Sequence, residues 1–137
     1  MSSYPDTATP TQLAAVEERL VGRKLRLAGK LLSYDPVTGL GILLDRDAAV
    51  LVDVSLCVDH WSGQWVRERL GVIMVIGHLE KSDEEMPIPT IPSFAPAPAL
   101  DPHLFLRAIL ATKAGDLDLE IWNKSIEALA LAENVNA

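Results

Sequence analysis

Four cations crowd one short stretch: Arg23, Lys24, Arg26 and Lys30 sit among leucines in "RKLRLAGKLLSY". Tyr34 closes the stretch, and Arg107 stands far along the chain in "LFLRAILATK". Cations beside an aromatic ring have the chemistry to hold a nucleic-acid backbone and stack one base. The same charges also suit the wet face of an edge-proximal strand, where Lys and Arg discourage edge-to-edge pairing. Net charge limits the first reading. The 137-residue chain carries −7 at pH 7, so its overall field repels DNA. Nucleic-acid contact is therefore expected only through a local patch of Lys24, Lys30, Tyr34 and Arg107, or with help from a partner.

The other reactive side chains make no catalytic pattern. His60, His78 and His103 are scattered and lack metal-ligand spacing. His78 ends a strand pattern, where a structural hydrogen bond is the ordinary role. A single cysteine, Cys57, builds neither a disulfide framework nor a Cys-based metal centre. Ser55 has no nucleophile-elbow context, and no glycine loop cradles a phosphate. Asp45, Asp47 and Asp53 share one hairpin pattern. Brought together they would hold a divalent cation, but hairpin carboxylates are ordinarily solvated. The chain is expected to be no enzyme and to need no cofactor or metal. Trp61 and Trp65, four apart, suit a stacking platform or, more commonly, a plug for the open end of a small barrel.

These side chains need elements to position them. The length favours one domain with a modest core. Apolar residues make up 49% but aromatics only 5%, so the core rests on Leu, Ile, Val and Ala. Mean hydropathy is positive, which points to some apolar surface covered by another chain. Residues 1–8 read as disordered, without the apolar run of a signal peptide. No apolar run is long enough to cross a bilayer. The single cysteine suits a cytosolic or nuclear home.

"TPTQLAAVEERL" reads as a helix start, with Thr9 as N-cap, Pro10 in the first turn and Gln12 in a capping box. Then strands follow. "RKLRLAGKLLSY" alternates, and Gly29 marks a bulge or bend. "DPVTG" is turn chemistry. "LGILLDR" is a second strand, "DA" a tight turn and "AVLVDVSL" a third strand, with Val50, Val52, Val54 and Leu56 on one face. "CVDHWSGQWVRERL" breaks the pattern. "GVIMVIGHLE" is a fourth strand, apolar enough to be covered on both faces. Residues 81–103 hold six of the nine prolines and must be a loop. "LFLRAILATK" is a fifth strand.

The C-terminal helix spans about 116–133, with Asp116 as N-cap and acidic residues in its first turn. Leu119, Trp122, Ile126 and Leu129 make one apolar stripe. Ile121, Ala128, Leu131 and Ala132 widen it, so two packing partners are expected: the chain's own barrel and a helix of another protein.

Three meandering strands, an irregular connector and two more strands are the order of an OB-fold, a small five-stranded Greek-key barrel. The expected architecture is all-β with flanking helices: one domain over 9–137, with an N-terminal helix and a C-terminal partner-binding helix. Such barrels bind oligonucleotides, saccharides or proteins, and the fold alone does not choose.

"LRLAGKLLSYDPVTGLGILLD", "AVLVDVSLCV", "GVIMVIGHLE" and "LRAILATKAGDLDLEIWNKSIE" together resemble the smallest, Ten-type subunit of the CST telomere-capping complex. That family is similar in turn to the smallest subunit of replication protein A, the alternative reading. The resemblance covers about Leu25 to Glu127, apart from the Pro-rich loop. It implies a non-catalytic nuclear subunit that pairs with the Stn subunit through C-terminal helices. With the large subunit it would protect telomeric single strands and, indirectly, serve polymerase alpha-primase in lagging-strand fill-in. Carried over, the partner helix is Leu119, Trp122, Ile126 and Leu129. Arg26 matches the family's basic first-strand position, near the partner interface. DNA would be held mainly through the complex, and no membrane is involved.

Overall fold

The computed structural model describes residues 7–57, 71–92 and 98–136. Six strands and one helix organise them: β1 (Thr9–Pro10), β2 (Lys24–Asp35), β3 (Leu40–Asp45), β4 (Ala48–Asp53), β5 (Val72–Lys81), β6 (Leu104–Lys113) and α1 (Leu119–Asn136). The sheet runs β1-β2-β3-β4-β6-β5, and a further β2–β5 pairing closes the five long strands into a barrel. This is an OB-fold. β2 makes the closure possible by serving both halves. Lys24 to Lys30 pair with β5, and Lys30 to Asp35 pair with β3. β4 and β6 seal the other seam in parallel, at Leu51↔Phe105 to Asp53↔Arg107.

Alternation fills the barrel. Leu25, Leu27 and Leu31 of β2 point inward with Leu43, Val50, Val52, Val54, Ile73, Val75, Leu79 and Leu106. Each such side chain contributes about 1.5–3 kcal/mol relative to exposure. The register of β2 on β3 shifts between Leu31 and Ser33, so Leu32 is the extra residue of a bulge. The shift reverses the alternation. Leu32 faces outward, while Tyr34 returns to pack against the interior.

Leu32 is not exposed, because the Pro-rich segment covers it. Leu32, Ile42, Ala49, Leu51 and Phe105 form a second apolar cluster, with Met86, Ile91 and Leu100 packed against it. The segment is also stitched down. Ser33 Oγ donates to the Thr90 carbonyl at 2.7 Å. Ala49 N–H donates to the Ala99 carbonyl, and within the segment Met86 N–H donates to that of Pro102. Proline rigidity lowers the entropy lost when such a strap docks.

Several expectations are corrected. Thr9–Leu20 is not a helix. Thr9 and Pro10 add an edge strand beside Leu25 and Arg26, and two separate 3₁₀ turns follow at Leu13–Ala15 and Glu18–Leu20. Glu17 is extended between them, at φ −151° and ψ 170°. Burying Leu13 and Leu20 in the barrel core outweighs helix propensity over so short a segment. Gly29 is not the bulge, since its pairing with Ile73 is regular. It is required for close approach: a Cβ there would lie 2.9 Å from Leu13 Cδ1 and 3.2 Å from the Leu44 carbonyl oxygen. The β3–β4 turn is Arg46–Asp47, one residue early, with Arg46 at φ 59°. Leu56 lies beyond β4 and is exposed. The outer face of β5 is only half-buried at Val72, Met74 and Ile76. Asp118, not Asp116, caps α1. The Asp35–Gly39 turn forms as expected, with Gly39 at φ 77° and its N–H donating to the Asp35 carbonyl. Trp61, Trp65, His60 and residues 1–6 lie outside the described residues.

Candidate partner interface

Helix α1 begins where Asp118 Oδ1 accepts from the N–H groups of Glu120, at 2.9 Å, and Ile121, at 3.3 Å. Both would otherwise be orphan donors of the first turn. Leu119, Trp122, Asn123 and Ile126 share one face. Asn123 is buried, and its Nδ2 donates to Asp45 Oδ2 at 2.6 Å. Gln12 reinforces this anchor. Its Nε2 donates to the Asn123 carbonyl at 3.1 Å and to Glu127 Oε1 at 3.3 Å. Ile126 lines a cleft with Leu20 and Leu25 at the base of the barrel. The helix is thus fixed to its own barrel by one face.

The expected stripe therefore divides. Leu119, Trp122 and Ile126 are half-buried, whereas Leu129 is 56% exposed. Ile121 and Leu131 are 62% and 66% exposed, and Ala128 and Ala132 lie open between them. An anchored helix with an apolar outer face is a ready surface for a second helix. Asn123 and Gln12 had no assigned part in this site from sequence. The available signal was a single polar residue on the Leu119–Ile126 stripe, a position that must find a hydrogen-bond partner when buried.

The basic residues are dispersed around the barrel. Arg26 lies on the outer face of β2 between Pro10 and Ile76, with Nε enclosed and without a hydrogen-bond partner among the described residues. Trp122 Nε1 is enclosed in the same way. Lys30 is exposed where β2 turns from β5 to β3. Arg107 is held by Glu80 and, at 3.8 Å, by Asp53, and it sits over the Phe105 ring. The Glu80 hydrogen bond raises its pKa further. Tyr34 packs against the core. Burial first, then the charges of Asp35 and Asp53, raise its pKa above the ordinary value. Lys24 and His78 are cross-strand neighbours.

Among the described residues Asp45, Asp47 and Asp53 do not assemble into one cation site. Asp45 and Asp53 lie at opposite ends of the β3–β4 ladder. Asp45 receives Asn123, and Asp53 Oδ1 receives the N–H and Oγ–H of Ser55. Among the described residues, no three His, Cys, Asp or Glu side chains are grouped to hold a metal. No helix among them is long and apolar enough to cross a membrane.

No family model and no curated protein matches the chain. Solved structures do. A chain of the S. pombe Stn1–Ten1 complex matches at TM-score 0.63 and 17% identity, covering 91% of this chain and 93% of that one. S. pombe Ten1, a telomere capping protein, matches at TM-score 0.62 and 16% identity, over 90% and 98%. The fold is that of Ten1. An asparaginyl-tRNA synthetase from Pyrococcus horikoshii shares the barrel at TM-score 0.52 and 16% identity, but over only 75% of this chain and 21% of the synthetase. The likeness to Ten1 thus runs farther along the chain than the barrel likeness to the synthetase.

Proposed function

We propose that this chain is the Ten-type subunit of a CST-like telomere-capping complex, that it is not catalytic, and that it pairs with a Stn-type subunit through the outer face of α1. The observation that carries this is the division of α1. One face is locked to the barrel by Asn123 and Gln12, while Ile121, Leu129 and Leu131 stay exposed. Isolated surface leucines are ordinary; three large apolar side chains exposed on one anchored helix, with Ala128 and Ala132 among them, support an interface. The Ten1 fold supports the choice of partner. The acid balance supports a role in assembly, with most nucleic-acid affinity supplied by the Stn-type and large subunits. In this reading the complex acts in the nucleus, on telomeric single strands, and reaches polymerase alpha-primase indirectly. The half-buried Leu119, Trp122 and Ile126 support the interface from beneath, and Arg26 borders it.

Co-purification with a Stn-type subunit is the test. Leu129→Glu and Ile121→Glu should each weaken the heterodimer about tenfold or more, because they place a charge in an apolar contact. Both should leave the isolated chain folded. A heterodimer that survives both substitutions would refute this interface.

A further inference from the structure

We infer that a shallow basic pocket at the start of β2 binds a backbone phosphate of single-stranded nucleic acid. Thr7, Thr9, Gly22, Arg23, Lys24 and His78 line a cavity of about 370 Å³. The pocket is assembled from three parts of the chain. Thr7 and Thr9 come from the N-terminal segment and the edge strand β1. Gly22 and Arg23 form the entry to β2, and Lys24 and His78 pair across the β2–β5 ladder. Gly22 adopts φ 91° and its N–H donates to the Leu79 carbonyl, which turns the chain into the strand beside the pocket.

Its chemistry suits an oxyanion. Among the described residues no carboxylate lines it, although the chain as a whole carries −7. Elsewhere on the surface Arg19, Lys81, Arg107 and Lys124 are each matched by an acidic side chain. Among the described residues no carboxylate pairs with Arg23. The Arg23 guanidinium, the His78 imidazole and the two threonine hydroxyls around one concavity suit a phosphate contact.

Two observations favour a nucleic-acid backbone. The face of the second and third barrel strands, by which OB-folds commonly take oligonucleotides, is covered here: Ile42, Ala49 and Leu51 lie under Met86, Ile91 and Leu100. Bases cannot stack there while the strap is docked. Among the described residues no Phe, Tyr or Trp lines the pocket, so it takes a phosphate without a large ring on which to stack a base. A sequence-independent contact is what an accessory subunit contributes when its partners supply the main affinity. The choice of ligand rests on the CST-like reading, and the site rests on the pocket.

The experiment is fluorescence anisotropy with a labelled oligothymidylate of about 16 nucleotides, using the full chain alone and its co-purified heterodimer. Arg23→Ala and His78→Ala should each weaken binding severalfold and lower the salt slope, by about 0.7 for a lost single-strand phosphate contact. Lys124→Ala, which removes one charge on α1, should leave both unchanged. Equal losses for Arg23→Ala and Lys124→Ala would mean diffuse attraction and overturn the pocket. So would binding of a phosphoserine peptide by a chain that binds no oligonucleotide. Heterodimer yield separates the two readings. A normal heterodimer whose DNA binding ignores Arg23→Ala refutes the pocket alone, whereas loss of partner pairing in the unmutated chain refutes the subunit reading.

Discussion

Asn123 on α1 and Asp45 at the end of β3 are joined by a 2.6 Å hydrogen bond across 78 residues of sequence. It turns a free C-terminal helix into a fixed one. A hydrogen bond to a charged group contributes about 1.5–3 kcal/mol. Asn123→Ala should therefore lower stability by roughly 2 kcal/mol in urea unfolding. Hydrogen exchange should show α1 amides opening before the barrel. An unchanged α1 would mean that Gln12 and apolar packing suffice.

Gly77 faces the backbone of β6 at a bulge. A Cβ there would lie 2.2 Å from the Arg107 carbonyl oxygen and 2.7 Å from Ala108 Cα. Backbone cannot step aside as a side-chain tip can, so Gly77→Ala should cost about 3 kcal/mol or prevent folding. Gly115→Ala is the comparison. Its nearest neighbour is the flexible Lys113 Cε at 3.9 Å, and its thermal midpoint should stay close to that of the unmutated chain.

Leu32 fastens the strap to the barrel. Leu32→Ala should destabilise the chain by about 2–5 kcal/mol. It should also speed exchange of the Met86 amide, which is bonded to the Pro102 carbonyl. If the amide stays protected, the strap is held by Ser33–Thr90 and the Ala99 bonds instead.

Tyr34 supplies a pH signature. Burial, then the charges of Asp35 and Asp53, favour its neutral phenol. Its folded pKa lies above its unfolded one, so this stabilisation is complete below the ordinary value of about 10 and is lost as pH rises through the folded value. In a Tyr4→Phe background, tyrosinate absorbance should rise later in the folded chain than in denaturant. Asp53→Asn should move the folded curve earlier, by less than unfolding does. Coincident curves would place the Tyr34 hydroxyl in bulk solvent.

The two faces of α1 should answer differently to charge. Trp122→Glu puts a carboxylate on the barrel side and should lower the thermal midpoint of the isolated chain. Leu129→Glu changes a 56% exposed position and should leave the midpoint nearly unchanged. Equal losses would show that both faces pack within this chain.

The chain order of the five long strands, the Asp35–Gly39 turn and the inward faces at Leu25 and Leu27 and at Val50, Val52 and Val54 were determined by the sequence. Alternation and turn chemistry act over a few residues, so a strand that alternates announces its own face, whereas β5, apolar on both faces for most of its length, does not. The extent of β6 and the existence of α1 were legible for the same reason. Tertiary structure decided what depends on neighbours distant in sequence. Thr9–Leu20 gave up a helix because Leu13 and Leu20 find the barrel core. The bulge fell at Leu32 because the strap offers it an apolar cover, while Gly29 is fixed by the approach of Leu13 and Leu44. The cations of "RKLRLAGKLLSY" were visible at once. Which of them share a pocket was not, because only barrel closure brings Arg23 and Lys24 beside His78.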